Sequence, residues 1–312
     1  MENKYSNYMG IGEKPIDFDE FWENGVSEVQ QRGVGFKLNQ VNIPSNIANF
    51  YDLYFNGVGN AQVHCQLLVP KVIKKKHKAM LIFHGYHCDA GDYTSKISWV
   101  AEGFVVMAMD CRGQGGQSTY ADTVKGDVLK GLLIRGIEEE NPARLYYRNV
   151  YLDTVQAVNI LKSLEYVNEK KIFLQGVSQG GGLAIACAGL IPDIYKVQVC
   201  YPFLSDFKKA FKLGDQTAFS ELQYWFRYRD PLHVKEKEVF DTLEYIDIKY
   251  FAENIKAEVK WAMGLDDQVV PPETQMAAFN RIKSSKELVM LPEYGHEYLP
   301  KVMDKWYGFF IE

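Results

Sequence analysis

Five short apolar runs recur along the chain from Ala79 onward, and helical patterns alternate with them. The runs are "AMLIFHG", "FVVMAMD", "KIFLQG", "KVQVCYP" and "VKWAMG". Continuous apolar runs of this length are typical of strands that are buried on both faces, as in a parallel sheet. The alternation therefore predicts an α/β fold with a mostly parallel central sheet and helices on both faces. In such folds functional groups gather beyond the carboxyl ends of the strands, so the residues after each run are the first candidates for a site.

The first part of the chain has a different pattern. An amphipathic helix is predicted by apolar residues at helical spacing, which are Phe18, Phe21, Trp22 and Val26. Three segments that mix β-branched and aromatic residues with polar ones follow it, as in antiparallel strands with one wet face: "FKLNQVNI", "FYDLYFNG" and "AQVHCQLLVP". We expect a single domain over residues 1–312, in which residues 1–70 form this N-terminal helix and these strands.

Two long segments interrupt the alternation of strands and helices. The first runs from Arg112 to about Arg144 and is rich in glycine. The second, residues 201–257, contains the aromatic stretch "AFSELQYWFRYRDP" and predicts a helical insertion near the functional edge of the sheet. Insertions of this size usually shape a pocket or an interface.

The run "KIFLQ" is followed by Gly176-Val177-Ser178-Gln179-Gly180 and then by a helix-compatible segment. This is the G-x-S-x-G pattern in its required context, a serine on a sharp turn between a buried strand and a helix. A serine hydroxyl needs a neighbouring base, which is itself oriented by an acid, and in this fold they follow the serine in the order acid, then histidine. The pattern therefore predicts Ser178 as a nucleophile. A serine that merely caps the helix is the simpler alternative.

Two histidines follow the serine. His233 lies among charged residues of the insertion and is expected at the surface, whereas His296 follows the apolar run "ELVML" and precedes the last helix, where a base is expected. The acid should follow the preceding strand, at Asp266 or Asp267 in "GLDDQVVPP", and only one of these neighbours can easily orient the histidine. The backbone N–H groups of Gln179 and Tyr86 are expected to bind the oxyanion.

Composition excludes several other classes of protein. The chain has no apolar run of membrane-spanning length and no signal peptide at its start, so we expect a cytoplasmic protein without a membrane partner. Its net charge is −5, and its one basic run, "KVIKKKHK", lacks interleaved aromatic residues, which disfavours nucleic-acid binding. Five cysteines without a CxxC spacing indicate buried free thiols.

A metal-dependent hydrolase is a further alternative, because four potential ligands cluster in one short segment. They are His84, His87, Cys88 and Asp89. Their spacing matches no zinc motif with a clear physical basis, and His84 fits better as part of the oxyanion loop. We therefore expect no metal and no other cofactor.

The sequence resembles the acetyl xylan esterases and cephalosporin-C deacetylases of the seventh carbohydrate esterase family. The resemblance runs through nearly the whole chain and is strongest in seven segments: "KPIDFDEFW", "FHGYHCDAGDY", "DCRGQGGQS", "GVSQGGGLA", "YPFLSDF", "GLDDQVVPP" and "YGHEY". It implies an α/β-hydrolase fold and deacetylation of short acetylated sugars and cephalosporin C without a metal. It also implies a homohexamer whose active sites face an internal cavity, which favours small substrates.

Carried over by position, the resemblance implies roles for individual residues. Ser178 corresponds to the nucleophile, Asp267 to the acid and His296 to the base. The amides of Tyr86 and Gln179 correspond to the oxyanion hole. Two further residues match positions that line the small acyl pocket, namely Phe203 and Val269. Three more carry no catalytic role: Arg112 and Gln114 are implied to brace the loops beneath the site, and Asp266 stands where relatives commonly have an apolar residue.

Two rival functions remain open on the sequence. One is a different α/β hydrolase, such as a peptidase or a lipase for longer acyl chains. The other is a catalytically inactive hydrolase scaffold that binds carbohydrate or acts as a receptor. Such scaffolds usually lose a triad residue, whereas all three candidates are present here.

Overall fold

The computed structural model describes residues 5–72, 76–121, 131–214 and 218–311. The strands in these residues are β1 (Phe36–Val41), β2 (Ala48–Asn56), β3 (Gln62–Pro70), β4 (His77–Phe83), β5 (Val105–Met109), β6 (Val167–Val177), β7 (Lys196–Cys200), β8 (Glu258–Gly264) and β9 (Lys286–Leu291). The α-helices are α1 (Phe18–Arg32), α2 (Ile97–Ala101), α3 (Tyr146–Ser163), α4 (Gln179–Leu190), α5 (Phe207–Leu213), α6 (Ser220–Arg229), α7 (Glu236–Leu243), α8 (Ile248–Ala252), α9 (Pro272–Arg281) and α10 (Val302–Ile311).

The strands form one mixed sheet in the order β1-β2-β3-β5-β4-β6-β7-β8-β9. The first three strands pair antiparallel, and β3 continues antiparallel against β5. From β5 onward every neighbour is parallel. The predicted class is confirmed, because the sheet is mostly parallel and begins with the predicted antiparallel strands.

Helices cover both faces of the sheet. Helices α1, α3, α4, α8 and α9 contribute to the larger apolar cluster on one face, and α2 and α10 pack on the other. Strand residues alternate between the two clusters, as Leu81 and Met80 of β4 illustrate. Because both faces are covered, the central strands read as continuous apolar runs. The carboxyl ends of β4, β6, β7 and β8 consequently meet at one edge of the sheet.

The predicted N-terminal helix is α1, which buries Phe18 and Trp22. The aromatic stretch of the insertion forms α6, and the insertion also contains α5, α7 and α8. Part of each long segment, residues 122–130 and 215–217, lies outside the described residues, as does part of the basic run, residues 73–75. Within the described ranges, every helix is too short or too polar to span a bilayer.

A buried ionic cluster ties the start of the chain to the loop that follows β7. Lys249 of α8 is completely buried, and its Nζ contacts Glu244 and lies 2.6 Å from Asp247 Oδ2. The Asp206 N–H donates to Asp247 (2.8 Å), and the Asp206 carboxylate accepts a hydrogen bond from the Tyr8 hydroxyl (2.6 Å). Burial raises the pKa of Glu244, and the Lys249 charge opposes this rise. The cluster fixes the loop that crosses the carboxyl edge of the sheet.

Candidate active site

Ser178 lies on the turn between β6 and α4, with φ 53° and ψ −121°. This left-handed conformation is strained for a residue with a Cβ atom and lifts the side chain out of the strand. The flanking glycines are required by space: a Cβ atom at Gly176 would lie 2.1 Å from the Gly180 carbonyl oxygen, and one at Gly180 would lie 2.0 Å from that of Phe83. The predicted strand, turn and helix are therefore present.

His296 lies in the loop between β9 and α10 and joins two of the predicted residues. Its Nε2 is 2.9 Å from Ser178 Oγ, and its Nδ1 is 2.9 Å from Asp267 Oδ2. With the proton on Nδ1, the ring donates to the carboxylate and its Nε2 accepts from the serine hydroxyl. The imidazole is 18 % exposed, whereas the Asp267 side chain is completely buried. His233, in contrast, is exposed, and its Nδ1 lies 2.8 Å from a carboxylate oxygen of Glu236.

The two adjacent aspartates point in different directions. Gly264 is the last residue of β8 and lies close to the Tyr294 carbonyl oxygen. The Asp266 N–H donates to that same oxygen (2.9 Å), and the Asp266 side chain faces solvent. The Asp267 carboxylate turns inward, where Oδ1 accepts the N–H groups of Val269 (2.9 Å) and Val270 (2.8 Å). The structure thus brings Asp267, and not Asp266, to His296.

The two backbone N–H groups predicted to bind an oxyanion are available. Among the residues that the structure describes, no acceptor pairs with the N–H of Tyr86 or of Gln179. The Gln179 side chain is fully buried, and its Oε1 accepts from Tyr147 (2.8 Å) and from Gln114 (2.7 Å). These bonds hold the first turn of α4 beneath the site, while its N–H remains free for a ligand oxygen.

The Tyr86 side chain forms a contact that the sequence did not reveal. Its hydroxyl donates to the buried carboxylate of Glu221 in α6 and accepts the N–H of Leu132 (2.7 Å). The other oxygen of Glu221 accepts the N–H of Leu133 (2.8 Å). Burial and the nearby Glu221 charge raise the pKa of Tyr86 far above its usual value, so the phenol stays protonated. The insertion is therefore bonded directly to the residue that offers the oxyanion N–H.

We expect Tyr86→Phe to lower kcat for p-nitrophenyl acetate about tenfold with little change in KM. The change removes one hydrogen bond to the buried Glu221 carboxylate and the acceptor of the Leu132 N–H, so the loop that carries the residue 86 amide loses an anchor. A displacement of this N–H donor by less than 1 Å weakens its hydrogen bond to the oxyanion more than its hydrogen bond to the neutral ester. Steady-state kinetics with a matched Tyr166→Phe control, remote from the site, tests this. A rise in KM at constant kcat would contradict the positioning role.

The four potential metal ligands of the 84–89 segment do not converge. His84 Nδ1 donates to the Gly85 carbonyl (2.7 Å), and its Nε2 accepts the N–H of Cys111 (2.9 Å), so both ring nitrogens are used. Burial lowers the pKa of His84, which favours this neutral form. Across the described ranges, no three His, Cys, Asp or Glu side chains are grouped to hold a metal ion. His84 braces the oxyanion loop against the segment after β5.

The two predicted acyl-pocket residues lie in different environments. Phe203 is completely buried, with its ring centroid 4.6 Å from that of Phe219 and 6.1 Å from that of Tyr86. Its N–H donates to the Ser178 carbonyl (3.0 Å), so it sits directly beneath the elbow. Val269 is 38 % exposed, although Val270 beside it packs into the core. Phe203 therefore lies below the accessible surface of the site, whereas Val269 is accessible to solvent.

Arg112 and Gln114 brace the loops beneath the site. Arg112 is fully buried, and its Nε and Nη2 each lie 2.7 Å from a different oxygen of Asp153 in α3. Gln114 donates to the Tyr146 hydroxyl (2.9 Å) and accepts the His87 N–H (2.9 Å). Such bidentate, fully satisfied contacts fix the loop after β5 against α3 and the oxyanion loop.

Comparisons with known proteins agree with this geometry. The family model described as "Acetyl xylan esterase (AXE1)" matches residues 2–312. Acetyl xylan esterase 1 from Thermoanaerobacterium sp. JW/SL YS485 is 40% identical, covers 100% of this chain and 98% of its own, and superposes with a TM-score of 0.96. The acetyl xylan esterase from Paenibacillus sp. R4 is 31% identical over 99% of this chain and 98% of its own, with a TM-score of 0.95.

A third relative has a curated sequence. Acetyl esterase Axe7A of Xylanibacter ruminicola is 26% identical over 319 residues, which cover 95% of this chain and 69% of the relative. The resemblance seen in the sequence is thereby confirmed. The match of the family model to nearly the entire chain, and the two structures that superpose over its full length, show that this α/β hydrolase is a serine carboxylesterase that belongs to the acetyl xylan esterase family.

Proposed function

We propose that this enzyme removes O-acetyl groups from short acetylated sugars, in particular acetylated xylo-oligosaccharides, and from similar small esters such as cephalosporin C. The observation that carries the proposal is the hydrogen-bonded series Ser178, His296 and Asp267 beside two free backbone N–H groups. The names of the relatives, which are acetyl xylan esterases and an acetyl esterase, support the choice of acetylated sugar.

In the acylation step Ser178 Oγ attacks the acetyl carbonyl carbon while its proton passes to His296 Nε2. Negative charge develops on the carbonyl oxygen, and the N–H groups of Tyr86 and Gln179 stabilise it. Asp267 stabilises the imidazolium through the bond to Nδ1. When the tetrahedral intermediate collapses, the C–O bond to the sugar breaks and Nε2 returns the proton to the leaving alkoxide. The product is a free sugar hydroxyl and an acetyl ester on Ser178.

The second half-reaction uses the same groups with water in place of the serine hydroxyl. His296 Nε2 takes a proton from water, the hydroxide equivalent adds to the acetyl carbonyl, and the oxyanion is again held by the two amides. Collapse breaks the bond to Ser178 Oγ, which receives the proton from Nε2. Acetic acid leaves and the enzyme is regenerated. The protons come from Ser178 and from water, His296 transfers them, and the two amides bind the oxyanion, so no step of the proposed cycle requires a cofactor.

The acyl side of the site predicts selectivity for acetate. Phe203 is completely buried, and its N–H donates to the Ser178 carbonyl, so its ring would limit the depth of the acyl pocket beneath the serine. In a series of p-nitrophenyl acetate, butyrate and octanoate, we expect kcat/KM for octanoate to be at least about tenfold below that for acetate. The same assay should show acetate release from acetylated xylo-oligosaccharides. A preference for octanoate would favour the rival reading of a lipase-like hydrolase.

We also propose that the chain is one catalytic domain, residues 1–312, that assembles as a homohexamer in the cytoplasm. The single sheet supports the domain assignment. Exposed apolar side chains in the middle of the helical insertion, at and after the end of α6, support an interface there: Tyr228, Leu232 and Val234. All five cysteines are free thiols, which supports a reducing compartment. Sedimentation at six times the chain mass, and fractionation of cells, test the last two statements.

A further inference from the structure

Two glutamines occupy the middle of the otherwise apolar central strands. Gln175 of β6 lies directly beside Gln198 of β7 in the parallel register, and Ile82 of β4 is the neighbour on the other side. Gln175 Nε2 donates to Gln198 Oε1 (3.0 Å), and Gln198 Nε2 contacts Cys200 Sγ (3.3 Å). Polar side chains in the core of a parallel sheet cost free energy, so their presence requires a reason.

These glutamines line a cavity of about 300 Å³ at the carboxyl edge of the sheet, on the face that α2 and α10 cover. Apolar and aromatic side chains form most of its wall, among them Trp99 and Leu299. Its lining includes Val177 and Tyr298, which are 41 % and 75 % exposed, so the cavity reaches the surface there. No charged side chain is among the described residues that line it. The volume and the lining fit a small neutral molecule.

Two polar atoms in the cavity wall have no protein partner. In the described part of the chain, Gln175 Oε1 accepts no hydrogen bond, and the Tyr201 hydroxyl neither donates nor accepts one. Burial raises the pKa of Tyr201 to about 12, so its hydroxyl remains a donor at neutral pH. The cavity thus offers one free acceptor and one free hydroxyl, which is a pattern that the hydroxyl groups of a sugar can satisfy.

The cavity also adjoins the catalytic residues. Val177 directly precedes Ser178, and the Tyr201 ring centroid lies 4.4 Å from that of the His296 imidazole. Two residues of the lining are therefore next to the serine and the base. The leaving oxygen of the ester must lie beside His296 Nε2, because that atom returns the proton to it. A leaving group bound at Ser178 is therefore close to the cavity.

We infer that this cavity is the subsite for the sugar that leaves, and that it binds a pyranoside whose hydroxyls bond to Gln175 Oε1 and the Tyr201 hydroxyl. The inference rests on the proposed deacetylation of sugars and adds the position and the chemistry of the leaving group. The aromatic lining packs against the C–H face of the ring.

The test compares two esters that share the acetyl group and differ in the leaving group. They are methyl O-acetyl-xylopyranoside and ethyl acetate, whose leaving group has no ring and no further hydroxyl to bond to Gln175. Both pass through the same acetyl enzyme, so any difference in kcat/KM arises in acylation. We expect Gln175→Leu to lower the ratio of kcat/KM for the sugar ester over ethyl acetate about tenfold, as for the loss of one buried hydrogen bond. Gln31→Leu, on the exposed surface of α1, is the matched control and should leave the ratio unchanged.

A second variant protects the test against misfolding. Tyr298 is mostly exposed, so Tyr298→Ala should fold normally and should also lower the ratio. A direct measurement uses methyl xylopyranoside as a competitive inhibitor of p-nitrophenyl acetate hydrolysis, and its inhibition constant should rise about tenfold in Gln175→Leu. An unchanged ratio and an unchanged inhibition constant in both variants would overturn the subsite, as would equal losses on the two esters.

The subsite can fail independently of the proposed function. If the wild-type enzyme cleaves the sugar ester well and the variants retain its ratio, the deacetylation stands and the subsite is wrong. If the wild-type enzyme cleaves ethyl acetate and leaves the sugar ester untouched, the proposed substrate class is wrong.

Discussion

Ser178→Ala is expected to reduce kcat for p-nitrophenyl acetate by about six orders of magnitude, as for the loss of the nucleophile in a related constellation. The residual rate would come from the two oxyanion donors and from substrate binding. The fold should be unaffected, because alanine has the same Cβ atom at this strained turn and the backbone hydrogen bonds remain. The residue 178 N–H donates to the Cys200 carbonyl (3.0 Å), and the residue 178 carbonyl accepts from the N–H groups of Gly182 (3.1 Å) and Phe203 (3.0 Å). Steady-state kinetics and circular dichroism together measure both parts.

Ser205→Ala is a matched control for this variant. Ser205 is also completely buried beside the site, and its hydroxyl has no hydrogen-bond partner in the described residues. Its removal should therefore change neither kcat nor the melting temperature appreciably. Undiminished turnover in Ser178→Ala, or an equal loss in the control, would show that Ser178 is not the nucleophile.

The same variant separates an enzyme from an inactive binding scaffold. A fluorophosphonate reacts with a serine only when a base activates its hydroxyl, so the wild-type protein should be labelled once per chain and Ser178→Ala should not be labelled. A wild-type protein that resists labelling while it binds xylo-oligosaccharides would support the scaffold.

The parts of the site that follow from local pattern could be predicted from the sequence. Apolar runs identified the strands, and the residues after three of them, Ser178, Asp267 and His296, meet at one edge because parallel strands end together. The glycines at 176 and 180 indicate a close approach of the backbone. In the structure, a Cβ atom added at either position would lie within 2.1 Å of a backbone carbonyl oxygen.

Contacts that depend on tertiary packing could not be predicted in the same way. Glu221 lies 135 residues from Tyr86 along the chain, and nothing near either residue signals their hydrogen bond. The sequence also does not show which residue of the pair Val269 and Val270 faces the core: both donate their N–H groups to the Asp267 carboxylate, but only Val270 is buried. The sequence did contain one unused signal, a glutamine in each of two central strands.

The choice between the two adjacent aspartates has the second largest expected consequence. In Asp267→Asn the amide oxygen can still accept hydrogen bonds from the N–H groups of Val269 and Val270, which donate to Asp267 Oδ1 at 2.9 and 2.8 Å in the wild-type protein. The amide NH2 then faces His296 Nδ1, which must become an acceptor, and the imidazole proton moves to Nε2. That tautomer donates to Ser178 Oγ instead of removing its proton. We expect kcat to fall by about four orders of magnitude, as in the corresponding change of a serine protease triad.

Asp266→Asn is the control that the chain itself provides. The side chain of residue 266 faces solvent, and its contact with the site is a backbone N–H bond to Tyr294 that asparagine retains. The charge removed is exposed and screened, so kcat should change by less than about twofold. Because the two variants differ by one position in the same turn and remove the same charge, their comparison isolates orientation from electrostatics. A larger loss in Asp266→Asn than in Asp267→Asn would mean that the carboxylate bonded to His296 during catalysis is the one that this structure directs into water.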